Sequence, residues 1–93
     1  MEEYACGQLV RALAGRDKGG LFCVLGREGA YLLLCDGKRR PLERPKRKKA
    51  AHTAPAGPFC HPVLEAIQAG ETRSNRDIRR ALAAFRAEEL RRV

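Results

Sequence analysis

GQLVRALAGRDKGGLFCVL, residues 7–25, is the stretch whose reading decides the fold. Two apolar runs, Leu9–Leu13 and Leu21–Leu25, flank a turn of Gly15, Arg16, Asp17, Lys18, Gly19 and Gly20. Each run is short and rich in branched side chains, which is the pattern of a strand rather than a helix. The three glycines reach positive φ without strain and let the backbone approach a partner closely. Arg16 and Lys18 stand beside them, so the turn is expected to offer bare amides and two positive charges to an anionic ligand.

Two phosphate-binding motifs do not fit this turn. A nucleotide P-loop needs four residues between its first glycine and a Gly-Lys-Ser/Thr triplet, whereas Gly20 is followed by Leu21 and Phe22. A dinucleotide fingerprint opens a helix, and Leu21–Leu25 reads as a strand. The stretch instead resembles the KOW motif: Gly-x-x-Val, then Gly-Arg-Asp-Lys-Gly, then an apolar strand. Gly7, Val10, Gly15, Arg16, Asp17, Lys18, Gly19, Phe22 and Val24 carry the resemblance. It implies a small SH3-like barrel that binds RNA, as in certain large-subunit ribosomal proteins and transcription elongation factors.

Beyond this stretch, Gly26-Arg27-Glu28-Gly29 reads as a tight polar connection and Tyr31–Cys35 as a third strand. Asp36-Gly37 is a type I′ hairpin signal. It predicts that Lys38–Leu42 folds back as a fourth strand, with Pro41 confining it to an edge. That places Arg39, Arg40 and Arg44 on a folded scaffold and leaves Lys46–Lys49 as a mobile continuation. Residues 50–61, with Pro55, Gly57 and Pro58, read as a linker. Pro62–Ala69 then reads as a short helix ended by Gly70. Ser74 is an N-cap with Asp77 three residues on. Ile78, Ala81, Leu82 and Phe85 recur at helical spacing, with Arg76 and Arg80 on the other face. The expected architecture is mainly β: a barrel over 1–49, a linker over 50–61 and a helical tail over 62–93. The order of barrel motif, basic strand and Ser-Asn-Arg-Asp-Ile-Arg-Arg-Ala-Leu helix resembles small bacterial KOW-domain RNA-binding proteins. These are related to large-subunit ribosomal proteins of the archaeal and eukaryotic kind.

Charge points to the same class of partner. The 93 residues carry a formal +8, and it is not spread evenly. Residues 1–37 hold four basic side chains against five acidic, 38–49 hold eight against Glu43 alone, and 50–93 hold seven against five. Nearly all the excess therefore sits in twelve consecutive residues, as expected of a contact for a polyanion whose binding releases condensed counterions. Aromatic side chains are scarce, with three Phe, two Tyr and no Trp, so contact through phosphates is favoured over base stacking. The expected RNA contacts are Arg16, Lys18, Arg39, Arg40, Arg44, Lys46, Arg47, Lys48 and Lys49, with Gly15 and Gly19 permitting close approach. The expected partner is structured RNA, ribosomal RNA above all, reached on the ribosomal subunits. The rival reading is a protein-interaction adaptor that docks the Ile78, Leu82 and Phe85 stripe in a partner's groove.

Other function classes find little support. Cys6, Cys23, Cys35 and Cys60 form no Cys-x-x-Cys pair, and a zinc quartet of Cys6, His52, Cys60 and His61 is disfavoured because adjacent side chains diverge. No nucleophile, base and orienting group stand in a recognisable pattern, so no catalysis, cofactor or small-molecule substrate is expected. Asp17 and Asp36 fall in turns, where a structural role is the default. No leader pattern and no apolar run long enough to span a bilayer is seen, so a cytoplasmic location without membrane contact is expected.

Overall fold

The computed structural model describes residues 7–71 and 73–91. Five antiparallel strands form one sheet in the order β4-β3-β2-β1-β5. They are β1 (Leu9–Ala12), β2 (Leu21–Glu28), β3 (Tyr31–Cys35), β4 (Lys46–Lys49) and β5 (Thr53–Pro55). Two helices follow, α1 (Pro62–Gln68) and α2 (Asn75–Arg91). The chain is thus a small barrel-like β domain with helices after it.

Side-chain alternation sorts the strands onto two faces. Val10, Ala12, Phe22, Val24, Leu32 and Leu34 form one buried cluster, while Leu9, Leu21, Cys23 and Cys35 join Leu64, Ile67, Ile78, Ala81, Leu82 and Phe85 in another. Cross-strand partners keep this sorting: Val10 lies opposite Phe22 and Val24 opposite Leu34, whereas Leu9 lies opposite Cys23 and Cys23 opposite Cys35. Both helices pack on the second face. Among the described residues no helix joins the first cluster, so the sheet curls around its own side chains there. A register shift between Val24 and Gly26 supplies part of that bend, as β-bulges do.

Three expectations about the strands are corrected. Gly26-Arg27-Glu28 is not a connection: β2 runs on past the bulge, and the chain turns at Gly29, φ +60°. Lys38–Leu42 is not a strand, and the fourth strand is Lys46–Lys49, paired to β3 from Leu34↔Lys46 to Tyr31↔Lys49. The reason lies in the loop's hydrogen bonds. The Asp36 and Gly37 N–H groups both donate to Arg40 O, and the Asp36 carboxylate accepts the N–H groups of Lys38 and Arg40. Those groups are spent on a closed turn, and Pro41 and Pro45 have no N–H to give a ladder. Residues 50–61 are not a plain linker either. They hold a 3-10 turn at Ala50–His52 and then β5, which pairs with β1 through Val10↔Pro55, Arg11↔Ala54 and Ala12↔Thr53.

The helices follow their capping signals. Pro62 opens α1, and the His61 ring accepts the Val63 N–H on Nδ1 at 3.1 Å. Gly70, φ +85°, ends it: its N–H donates to Ile67 O and that of Glu71 to Ala66 O, a Schellman closure. Ser74 Oγ accepts the Asp77 N–H at 3.1 Å, and the Ser74 N–H donates back to the Asp77 carboxylate at 3.5 Å. Ile78, Ala81, Leu82 and Phe85 are buried, so the stripe lies in the protein's own core. Phe59 meets Phe85 edge-on at 5.2 Å, which brings the segment before α1 into the same core.

Candidate nucleic-acid interface

The Gly15–Gly20 loop is closed by its own backbone. Lys18 N–H donates to Gly15 O, Gly19 N–H to Ala12 O and Gly20 N–H to Asp17 O, at 3.1, 2.8 and 2.7 Å. The expectation of bare amides therefore fails at Lys18, Gly19 and Gly20. The glycines serve the turn itself, with φ near +80° at Gly15 and Gly19. What the loop presents outward is the exposed side chains of Arg16 and Lys18.

Asp17 faces the other way. Its side chain is 11% exposed, and its carboxylate lies 2.9 Å from Lys46 Nζ and 3.6 Å from the Arg40 guanidinium. The Lys46 ammonium, helped by Arg40 and Lys48, holds the Asp17 carboxyl below its ordinary value of 3.8, although burial pushes it up. Lys48 adds a second tie, donating to Ala14 O at 2.9 Å. Register explains why these two lysines act together. Lys46 and Lys48 lie opposite Leu34 and Leu32, on the inward-curling face, which turns them towards the loop. Arg47 and Lys49 point to the opposite face. There the Arg47 guanidinium sits 3.9 Å above the Tyr31 ring and its Nε donates to Glu28 at 3.3 Å. Lys46–Lys49 is thus an edge strand with assigned contacts, and the expectation of a mobile basic run is corrected.

The β3–β4 loop is fixed from two sides. Arg40 reaches Asp17, while α2 holds the other flank. The Asn75 Oδ1 accepts the Leu42 N–H at 2.7 Å, its Nδ2 donates to Glu43 at 3.0 Å, and Arg79 donates to Gly37 O at 2.6 Å. Gly37 is buried at φ +78°, where the loop meets the first turn of α2. This clamp brings Arg39 and Arg40 beside Arg16. The four residues Arg16, Asp17, Arg39 and Arg40 line a depression of about 310 Å³. A second, of about 170 Å³, adjoins it and adds Lys18, Asp36 and Arg86.

The expected site residues therefore separate into groups. Gly15, Arg16, Lys18, Gly19, Arg39 and Arg40 come together, with Lys46 and Lys48 behind them as braces. Arg47 and Lys49 lie on the other face of β4, and Arg44, though exposed, does not line either depression. Among the described residues, Arg16, Lys18, Lys38 and Arg39 form no ion pair, so their charge is uncompensated. Arg79 and Arg86 were missed. Their seven-residue spacing puts them two helical turns apart along one flank of the buried stripe, a signal that gains meaning only from how α2 lies on the sheet.

Larger depressions exist but lack this chemistry. One of about 440 Å³ along Pro55, Pro58 and Phe59 has no charged lining residue. Another of the same size mixes Leu25, Leu42 and Ile67 with Glu43, Glu71 and Arg73. Among the described residues, no three His, Cys, Asp or Glu side chains gather as metal ligands, and no helix is long and apolar enough to cross a membrane. Cys6, the fourth member of the drawn zinc quartet, lies outside the described residues. No protein-family model matches the chain, and no curated protein matches it either.

Proposed function

We propose that this protein is a non-catalytic, KOW-type RNA-binding module of the cytoplasm that takes structured, ribosomal RNA through its phosphates. The observation that carries the reading is the depression where Arg16 meets Arg39 and Arg40 on two clamped loops, with Arg16 and Arg39 in no ion pair among the described residues. Phosphate contact fits because the cations are preplaced, while the Tyr31 ring is already covered by Arg47 on one side. The KOW-like residues of the Gly15–Gly20 loop favour RNA as the polyanion. The adaptor reading loses its main support, because Ile78, Leu82 and Phe85 are at most 3% exposed.

A salt titration of binding to an RNA hairpin tests this. With about five phosphates neutralised, the logarithm of the affinity should fall with log salt at a slope of roughly −3 to −5. A flat response refutes the reading. Co-sedimentation with ribosomal subunits at low salt, lost at high salt, is expected if the RNA is ribosomal. Protein that stays off the subunits at low salt removes the ribosome from the proposal.

A further inference from the structure

Helix α2 is pinned across the sheet at both ends. Its first turns hold the β3–β4 loop through Asn75 and Arg79, and near its far end Glu89 accepts from Arg11 at 2.6 Å. Between those anchors the buried stripe of Ile78, Ala81, Leu82 and Phe85 fixes the rotation of the helix. Arg86 is therefore delivered to a set place. It lines one depression with Arg16, Lys18 and Arg39, and the neighbouring one with Lys38 and Arg79. It is exposed and makes no ion pair among the described residues.

Two carboxylates line the first of these depressions with the cations. Asp17 is already neutralised by Lys46 and Arg40, and Asp36 spends one oxygen on the N–H groups of Lys38 and Arg40. With Asp17 ion-paired, the cations that form no ion pair among the described residues, Arg16, Lys18, Arg39 and Arg86, are the groups left to attract phosphates. Arg16, Lys18 and Arg39 come from the two loops and Arg86 from α2, and cations delivered by separate elements suit two backbone segments lying side by side. A single extended strand offers one such segment, whereas a double-helical stem presents backbones on both sides of a groove, and proteins read such stems by shape and phosphate contact.

From this geometry we propose that α2 is an arm of the RNA interface, with Arg86 holding a second backbone so that the site prefers a double-helical stem to a single strand. The inference rests on the RNA-binding reading above. Arg80 provides a matched control. It lies six residues from Arg86, about 120° round the helix, and loses the same charge when replaced. Binding of R86A and R80A should be measured against an RNA hairpin and an unstructured strand of equal length at one salt concentration. Thermal melts should first show that both variants fold as the wild type does, since both side chains are exposed.

R86A should bind the hairpin about tenfold more weakly, R80A less than about twofold, and the loss for R86A should be smaller on the single strand. Equal losses for the two variants on the hairpin overturn the inference, because net charge alone would then explain them. An R86A loss on the single strand as large as on the hairpin also overturns it. Wild-type protein that binds neither RNA removes the RNA reading itself, an outcome distinct from either of these.

Discussion

Replacing Asp17 by Asn removes the negative charge through which the Gly15–Gly20 loop grips β4. A buried ion pair broken on one side costs about 3–5 kcal/mol, and an exposed pair contributes about 0–1. The Asp17 side chain is 11% exposed, but Lys46 is 25% and Arg40 39%, so this cluster lies between the two limits. A loss of about 1.5 kcal/mol at pH 7 is expected, since the cations left behind regain part of their hydration. In a domain of this size each kcal/mol moves Tm by about 4–8 °C, so D17N should melt about 6–12 °C lower. Circular dichroism at low salt reads the shift directly. The acid limb gives a second check. A carboxyl whose pKa is lowered on folding stabilises the fold above its unfolded value and loses that contribution as pH falls through the folded one. The gap between wild type and D17N should therefore be full at pH 7 and close on acidification below about pH 4. A double-mutant cycle with K46M should show coupling of about 1 kcal/mol. A Tm change under about 2 °C at pH 7, or a gap that survives where Asp17 is neutral, refutes the proposed grip.

The remaining predictions concern the braces, the close approach and the thiols. K46A/K48A should lower Tm, whereas R16A/K18A should leave Tm unchanged and weaken RNA binding about tenfold or more; the reverse pattern contradicts the assignment of braces and contacts. G37A should cost at least about 2 kcal/mol, because the residue sits at φ +78° and an added methyl would press on the Asn75 carbonyl. A urea midpoint unchanged from wild type refutes that packing. Iodoacetamide on the native protein should label exposed Cys60 and spare Cys23 and Cys35. Cys35 is fully buried, and Cys23 beside it and burial push its thiol up, so peptide mapping that finds Cys35 modified before unfolding contradicts the structure.

How much was legible depended on whether a signal was local. The strands around Leu9–Ala12, Leu21–Leu25 and Tyr31–Cys35, the Ser74–Asp77 cap and the stripe of α2 are written in nearest-neighbour chemistry, and all are present. The place of the fourth strand was not. Asp36-Gly37 is a sound turn signal, but the turn it makes consumes the N–H groups of the following residues, and β pairing resumes only after Pro45. β5 was hidden for a related reason. Thr53-Ala54-Pro55 has no strand pattern of its own and becomes a strand by completing the edge of β1. His61 gave no sign in the sequence of being a helix cap. At the candidate site, Arg16, Lys18, Arg39 and Arg40 were found from charge and motif, while Arg86 required knowing how α2 lies on the sheet.

Charge density along the chain is not charge density on the surface, and the basic run shows why. Strand alternation divides Lys46–Lys49, sending Lys46 and Lys48 to Asp17 and the Ala14 carbonyl and Arg47 to Glu28 and Tyr31. The uncompensated cations of the proposed site come instead from residues 16–18, 38–39 and 86, which only the fold brings together. A basic tail and a folded site therefore make opposite predictions for a peptide of residues 38–49. If the run acts as a tail, the peptide keeps all eight of its basic side chains and should bind a hairpin nearly as well as the whole chain. If the site is assembled by folding, the peptide lacks Arg16, Lys18 and Arg86 and must also pay the entropy of ordering its own backbone. It should then bind at least about tenfold more weakly at moderate salt. Competition between peptide and protein for one labelled hairpin decides the matter, and equal affinities would return the binding to the run itself.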